Sequence, residues 1–159
     1  MISLLLHGVH VTCRRWHKLV DDRLQRGPLA LHWGSVKSVK QFSGHTRAVI
    51  SGAFAPDGGT FVTVSIDCTA RVWATTDWSH LHTLTGHTGG VNSCAFAPDG
   101  GHLITVSGDR TARVWVAGDW SHLCTLTGHT DSVDACAFAP NGGILVTVSY
   151  HTTRIWADE

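Results

Sequence analysis

The sequence predicts an all-β fold built from about three copies of one four-stranded antiparallel sheet. Three observations carry that expectation. A Gly-His-Thr triplet recurs at residues 44–46, 86–88 and 128–130, a fixed spacing of 42 residues. Aligned on it, residues 44–85 and 86–127 are identical at 29 of 42 positions, which makes the repeat the dominant signal in the chain. Within the repeats no window offers an amphipathic helical period of useful length, whereas short β-branched runs alternate with Gly, Pro and Asp.

One unit explains the others. After Gly86-His87-Thr88 comes Val91-Asn92-Ser93-Cys94-Ala95-Phe96-Ala97, a first strand, closed by Pro98-Asp99-Gly100-Gly101. Pro, Asp and Gly in that order suit a type I turn ended by a glycine in the left-handed region, a common hairpin link. His102–Ser107 is rich in β-branched residues and reads as the second strand. Gly108-Asp109-Arg110-Thr111 makes the next tight turn, where the Asp side chain can accept a backbone N–H two residues on. Thr111–Trp115 is the third strand and 119–127 the fourth. The third unit departs from this pattern. "SYHTTRIW" (149–156) is one residue shorter than "SGDRTARVW" (107–115) and has no Asp.

The pattern GH, then V-x-x-x-A-F-x-P-D-G-G, then S-x-D-x-T-x-x-x-W resembles the WD-repeat β-propellers. It covers residues 36–156. The Asp that follows Trp in the family is replaced by Ala74, Val116 and Ala157. The resemblance implies propeller blades in a partial or open propeller, with repeats at 36–77, 78–119 and 120–159. It also implies one hydrogen-bonded network per blade: His45, Ser65, Asp67 and Trp73; His87, Ser107, Asp109 and Trp115; and the reduced set His129, Ser149 and Trp156. A buried indole, hydroxyl and imidazole each need partners, and a carboxylate ends the chain of donors. In the third unit His129 lacks that carboxylate, with Tyr150 and His151 the nearest substitutes through a water.

Ser, His and Asp together also suit nucleophilic catalysis. A nucleophile is needed at one site, however, and these residues accompany every structural unit, so no catalytic residue is assigned. The same reasoning applies to the twelve histidines. Three belong to the networks, His80 and His122 lie a whole unit apart, and no metal or cofactor site is expected. Trp78 and Trp120 also recur, which favours packing over an aromatic binding surface.

Composition narrows the partners. Only 15% of residues are charged and the formal net charge is zero, which argues against nucleic acid and acidic membranes. Five cysteines (Cys13, Cys68, Cys94, Cys124 and Cys136) show no metal or redox spacing and suit a reducing, cytoplasmic setting. The apolar run at the start is broken by His7 and His10 and followed by Arg14 and Arg15, the reverse of a signal peptide. No stretch approaches the ~18 apolar residues of a membrane span. Residues 1–35 do not repeat and read as a lead-in or a degenerate blade, with 16–29 spaced as a short helix ended by Gly27-Pro28.

The function implied by the resemblance is a non-enzymatic scaffold that binds proteins or peptides. The binding face would carry the GH loops and the turns after the second strands: Arg47, Ala48, Ile66, Gly89, Gly90, Gly108, Asp131, Ser132 and Tyr150. The alternatives are a sensor module detached from a larger signalling ATPase, a hydrolase using a His/Asp/Ser set, and a truncated product without function of its own. No G-x-x-x-x-G-K-[ST] is present. Three blades leave apolar faces bare, and an outer strand (36–42) precedes the first unit while the last lacks one. Self-association is therefore expected.

Overall fold

A computed structural model describes Ser38 and residues 40–157. The expected helix at 16–29 and Cys13 lie outside the described residues. The described residues from Phe42 onward form one compact unit. Its elements are β1 (Val49–Phe54), β2 (Thr60–Ser65), β3 (Ala70–Ala74), β4 (His80–Leu84), β5 (Val91–Phe96), β6 (His102–Ser107), β7 (Ala112–Val116), β8 (His122–Leu126), β9 (Val133–Phe138), β10 (Leu145–Ser149) and β11 (Thr153–Trp156). They form three antiparallel meanders, β1-β2-β3-β4, β5-β6-β7-β8 and β9-β10-β11, each strand paired with its sequence neighbour. The third sheet has three strands where the first two have four. Ser38, Lys40, Gln41 and Phe42, part of the segment expected as an outer strand, adopt no strand, and the rest of it lies outside the described residues.

The turns follow the local chemistry. Gly58, Gly100 and Gly142 sit in the left-handed region at φ 72°, 74° and 78°, and each N–H returns to Ala55, Ala97 or Ala139 O at 2.9 Å. Asp57 and Asp99 accept the N–H two residues on at 2.8 Å, and Asn141 does so at 3.2 Å. The next turn places Cys68 and Arg110 at φ 70° while Asp67 and Asp109 accept the N–H of Thr69 and Thr111 at 3.0 Å. Each of these short polar turns replaces ladder bonds that the chain reversal removes.

The sheets stack face to face, and two clusters fill the gaps between them. Val62, Val64, Val72 and Leu84 of the first sheet pack with Val91, Cys94, Leu103 and Trp115 of the second. Ile104, Val106 and Ala112 of the second pack with Val133 and Leu145 of the third. Fully burying a Val or Leu contributes roughly 1.5–3 kcal/mol, so these seams hold the array together. Asn92 adds a polar tie, its amide donating to Ser132 Oγ at 3.0 Å and Val133 O at 2.9 Å. Trp78 and Trp120 are half-buried packing residues. The Trp78 ring meets Phe42 edge-on with centroids 5.5 Å apart, and Trp120 meets Phe96 at 6.4 Å.

Candidate functional site

Two sets of residues are candidates for function: the repeated polar network inside each sheet, and the loops above it. In the second sheet, Trp115 Nε1–H donates to Thr105 Oγ1 at 2.9 Å, and Thr105 Oγ1 lies 2.9 Å from His87 Nε2. His87 Nδ1 is 2.8 Å from Asp109 Oδ2. An indole only donates and an ionised carboxylate only accepts, so the protons run one way. Trp115 gives to Thr105, Thr105 to His87 Nε2, and His87 Nδ1–H to Asp109. The other carboxylate bonds come from Thr88 N–H at 3.0 Å, Thr111 N–H at 3.0 Å and Thr111 O–H at 2.6 Å.

The first sheet repeats this geometry. Trp73 donates to Thr63 at 2.9 Å, Thr63 lies 2.9 Å from His45 Nε2, and His45 Nδ1 is 2.8 Å from Asp67. The hydroxyl joining imidazole to indole is thus Thr63 or Thr105, not Ser65 or Ser107 as the sequence suggested. Cross-strand register is the cause. Thr63 pairs with Arg71, two residues from Trp73, which puts its hydroxyl diagonally under the indole. Ser65 ends β2 instead, where its Oγ donates to Arg47 O at 3.2 Å and accepts Asp67 N–H at 3.0 Å. Ser107 does the same with Gly89 O and Asp109 N–H, both at 3.0 Å. These serines clamp the turn to the preceding loop. Thr63, Thr105 and Thr147 recur as faithfully as the serines and lie two residues before them on the same strand face. That recurrence was the signal for them.

Electrostatics fit a closed structural relay. Burial disfavours ionisation of Asp67, but hydrogen bonds from Thr69, His45 and Thr46 outweigh it and hold the carboxyl well below its ordinary range. The same balance, with Thr111, His87 and Thr88 as donors, brings Asp109 to about 2. Burial also lowers the pKa of His87, against the pull of Asp109, and keeps the imidazole neutral. Burial pushes the thiols of Cys94 and Cys136 up, the latter to about 12, so neither is a nucleophile at neutral pH.

The third sheet keeps half of the relay. Trp156 donates to Thr147 at 2.9 Å, and Thr147 lies 2.8 Å from His129 Nε2. His129 Nδ1 meets Thr152 Oγ1 at 3.1 Å, and Thr152 in turn lies 2.8 Å from Ser149 Oγ. The substitute for the missing Asp is therefore Thr152, not Tyr150 or His151. Shortening the turn by one residue draws Thr152 into the place of Thr111, while Tyr150 is 81% exposed. Burial lowers the pKa of His129, with the nearby Arg154 charge adding to it.

Above the networks six of the predicted face residues adjoin one another: Ala48, Ile66, Gly89, Gly90, Gly108 and Ser132. Ile66 N–H donates to Ala48 O at 3.0 Å and Gly108 N–H to Gly90 O at 2.9 Å, joining each turn to its own GH loop. Neighbouring units touch as well. A Cβ on Gly90 would lie 3.2 Å from Ile66 Cα, and one on Gly108 would lie 3.8 Å from Ser132 Oγ. Gly89 is enclosed by its own turn, since a Cβ there would sit 2.7 Å from Asp109 N. Arg47, Ala48, Ile66, Gly108 and Tyr150 are exposed on this surface, and Gly89, Gly90, Asp131 and Ser132 are half-buried. Among the described residues no group of three His, Cys, Asp or Glu side chains is placed to hold a metal ion. No helix among them is long and apolar enough to cross a membrane.

The family described as WD domain, G-beta repeat matches at residues 36–74, 78–116 and 120–157. No curated protein matches the chain. Among solved structures, one of U3-55K is similar with a TM-score of 0.70 at 25% identity, covering 72% of this chain and 37% of that one. A crystal structure of the RRP9 WD40 repeats gives a TM-score of 0.70 at 26% identity, with the same coverage. The chain spans well under half the length of these two structures. With three in-phase matches over most of its length, the chain belongs to the WD40 repeat family.

Proposed function

We propose that the chain is a non-enzymatic scaffold that binds a protein or peptide across the surface formed by its GH loops and the turns after β2, β6 and β10. The observation that supports this reading is the adjacency of those loops and turns from unit to unit, at Gly90 beside Ile66 and Gly108 beside Ser132. These loops and turns carry a cation at Arg47, an anion at Asp131 and an aromatic ring at Tyr150. Side chains of that kind suit the core and rim of a protein interface.

Catalysis by the repeated polar set fits the geometry poorly. The imidazole Nε2 of His45 or His87 faces a threonine hydroxyl that already accepts an indole proton, and both Thr63 and Thr105 are buried. Thr105 is fully enclosed, and Thr63, which lines a cavity with His45, Arg47 and Trp73, has its hydroxyl already held between indole and imidazole. Cys68, Cys94, Cys124 and Cys136 are free thiols, which supports a cytoplasmic setting as part of the same reading.

The test is a pull-down of native partners with Arg47→Glu, Asp131→Lys and Tyr150→Ala combined. The reading expects loss of the bound protein with an unchanged circular dichroism spectrum. Asp57→Lys with Asp99→Lys alters the turns at the opposite end of the strands and is expected to leave binding intact. Equal loss from both ends, or a catalytic activity that disappears in a well-folded Thr105→Val variant, would overturn it.

A further inference from the structure

Successive sheets meet through one repeated seam: the leading face of each sheet covers the trailing face of the sheet before it. Val91 and Val133, on the leading faces of the second and third sheets, are fully buried by their predecessors. The matching residue of the first sheet, Val49, is 54% exposed, and Phe54, at the other end of β1, is 59% exposed. At the other end, Val64 and Val72 on the trailing face of the first sheet are fully buried. Their counterparts on the third sheet, Val148 and Ile155, are 38% and 71% exposed. The array therefore presents both halves of an interface that it already forms twice internally.

Phe42 shows how the leading face is completed. Its ring packs on Trp73 with centroids 4.9 Å apart and on Phe61 at 6.0 Å. Leu84, 42 residues later, packs in the same way with Trp115 and Leu103 of the next sheet. Leu84 does so from β4, the outer strand of the preceding sheet. Phe42 thus takes the position of an outer-strand residue belonging to a sheet ahead of the first. At the trailing end, β11 has no strand on its outer side among the described residues.

We propose that two copies of this chain join head to tail, the leading face of each covering the trailing face of the other, to close a ring of six blades. Each copy would lend Ser38, Lys40, Gln41 and Phe42 to the outer edge of its partner's third sheet. The internal pairs Ala70↔Leu84, Arg71↔Thr83, Val72↔His82 and Trp73↔His80 set the register. Transferred by the repeat, they give Thr153↔Phe42, Arg154↔Gln41, Ile155↔Lys40 and Trp156↔Ser38 across the two copies. Pairing of this kind removes the open edge of β11 and the bare apolar faces together. The number of copies follows from closure. Head-to-tail contacts form a ring only when the rotations sum to a full turn, and propellers close with ~4–8 blades. With three blades among the described residues of each copy, two copies give six, within that range, and three give nine, outside it.

Light scattering on the full chain tests the proposal. The expected mass is twice the 17.1 kDa of one chain at micromolar concentration, and it stays there as concentration rises. Val49→Asp and Ile155→Asp, at exposed positions on opposite faces, are each expected to give the single-chain mass with unchanged circular dichroism. Should Val49→Asp fail to fold, Phe54→Lys replaces it. Mixing the two single variants leaves one unaltered seam per pair and is expected to restore part of the doubled mass. A single-chain mass for the wild type would overturn the proposal, as would growth beyond two copies. So would a doubled mass that survives Ile155→Asp, because a leading-face-to-leading-face dimer would not use that residue.

Discussion

The turn after β6 and the turn after β10 close similar hairpins and receive the same imidazole, but they differ in what the imidazole finds there. In the second unit His87 reaches a carboxylate that also gathers Thr88 N–H and both donors of Thr111. In the third, His129 reaches the neutral hydroxyl of Thr152, at 3.1 Å instead of 2.8 Å. Thr152 is then held by Ser149, whose counterpart in the second unit clamps the GH loop. One deletion therefore costs two ties: the carboxylate hub, and the serine bridge from turn to loop. Among the described residues, the first two sheets also carry an outer strand that the third lacks. The comparison teaches that the Asp of the motif works as a junction for loop, turn and imidazole, and that a hydroxyl replaces only the imidazole contact.

The largest effect is expected from removing the central hydroxyl. Thr105→Val keeps the side-chain shape but strands the Trp115 N–H and the His87 Nε2 in the interior, at a cost of roughly 2–4 kcal/mol. In the Val49→Asp background, where no second copy covers β11, Thr147→Val is expected to cost about half as much as Thr105→Val, because Trp156 is only half-buried and water can reach its N–H. Denaturant midpoints of the two variants measure the difference, and equal losses would break the comparison. Next comes the hub itself. Asp109→Asn removes the charge from four hydrogen bonds and is expected to cost roughly 1.5–3 kcal/mol, read in the same way.

Much of this contrast was legible in the sequence, and the errors have physical causes. The strands, the Pro-Asp-Gly-Gly hairpins and the three-unit count follow from β-branched runs between turn residues, and the lost Asp is visible as a gap in the third copy. The identity of the bridging hydroxyl was not legible from spacing to the turn alone. Ser65 and Thr63 point to the same face, and only the pairing of Thr63 with Arg71 shows which one lies under the indole. Thr152 was missed because it stands where Thr111 stands, four residues before the Trp, and in the intact unit that hydroxyl serves the carboxylate at 2.6 Å and lies 3.5 Å from the imidazole. The proposed binding-face residues were chosen because the loops bearing them recur. Their contact from unit to unit depends on Gly90, where a side chain would press on Ile66, and that is a property of the packed array.

A repair sharpens the comparison from the other side. Replacing "YHTTRIW" with "GDRTARVW" restores the hub and is expected to raise the melting temperature by about 4 °C for each kcal/mol regained. An unchanged melting curve would mean that the outer strand, and not the Asp, limits the third unit.

Acid titration gives the smallest effect and separates the units by chemistry. Asp109 is depressed from 3.8 to about 2 on folding, so its contribution is complete above pH 3.8 and is lost as pH falls through about 2. His87 and His129 both have lowered pKa values in the folded state. Their contribution is present above the unfolded value of 6.5 and declines as pH falls below it. Both units should therefore weaken below pH 6.5, and only the second should weaken again between pH 3.8 and about 2. Indole N–H exchange of Trp115 and Trp156 across that range measures it.

The most direct test of the hub is amide hydrogen exchange at neutral pH, in the Val49→Asp background so that no second copy covers β11. Local opening is cheapest where backbone hydrogen bonds have the fewest supporting ties. The account predicts that β9, β10 and β11 exchange before β5, β6 and β7, with the 149–152 turn opening first, and that restoring the Asp turn slows that exchange. Protection of residues 129–156 equal to or above that of residues 87–115, unchanged by the repair, would contradict it.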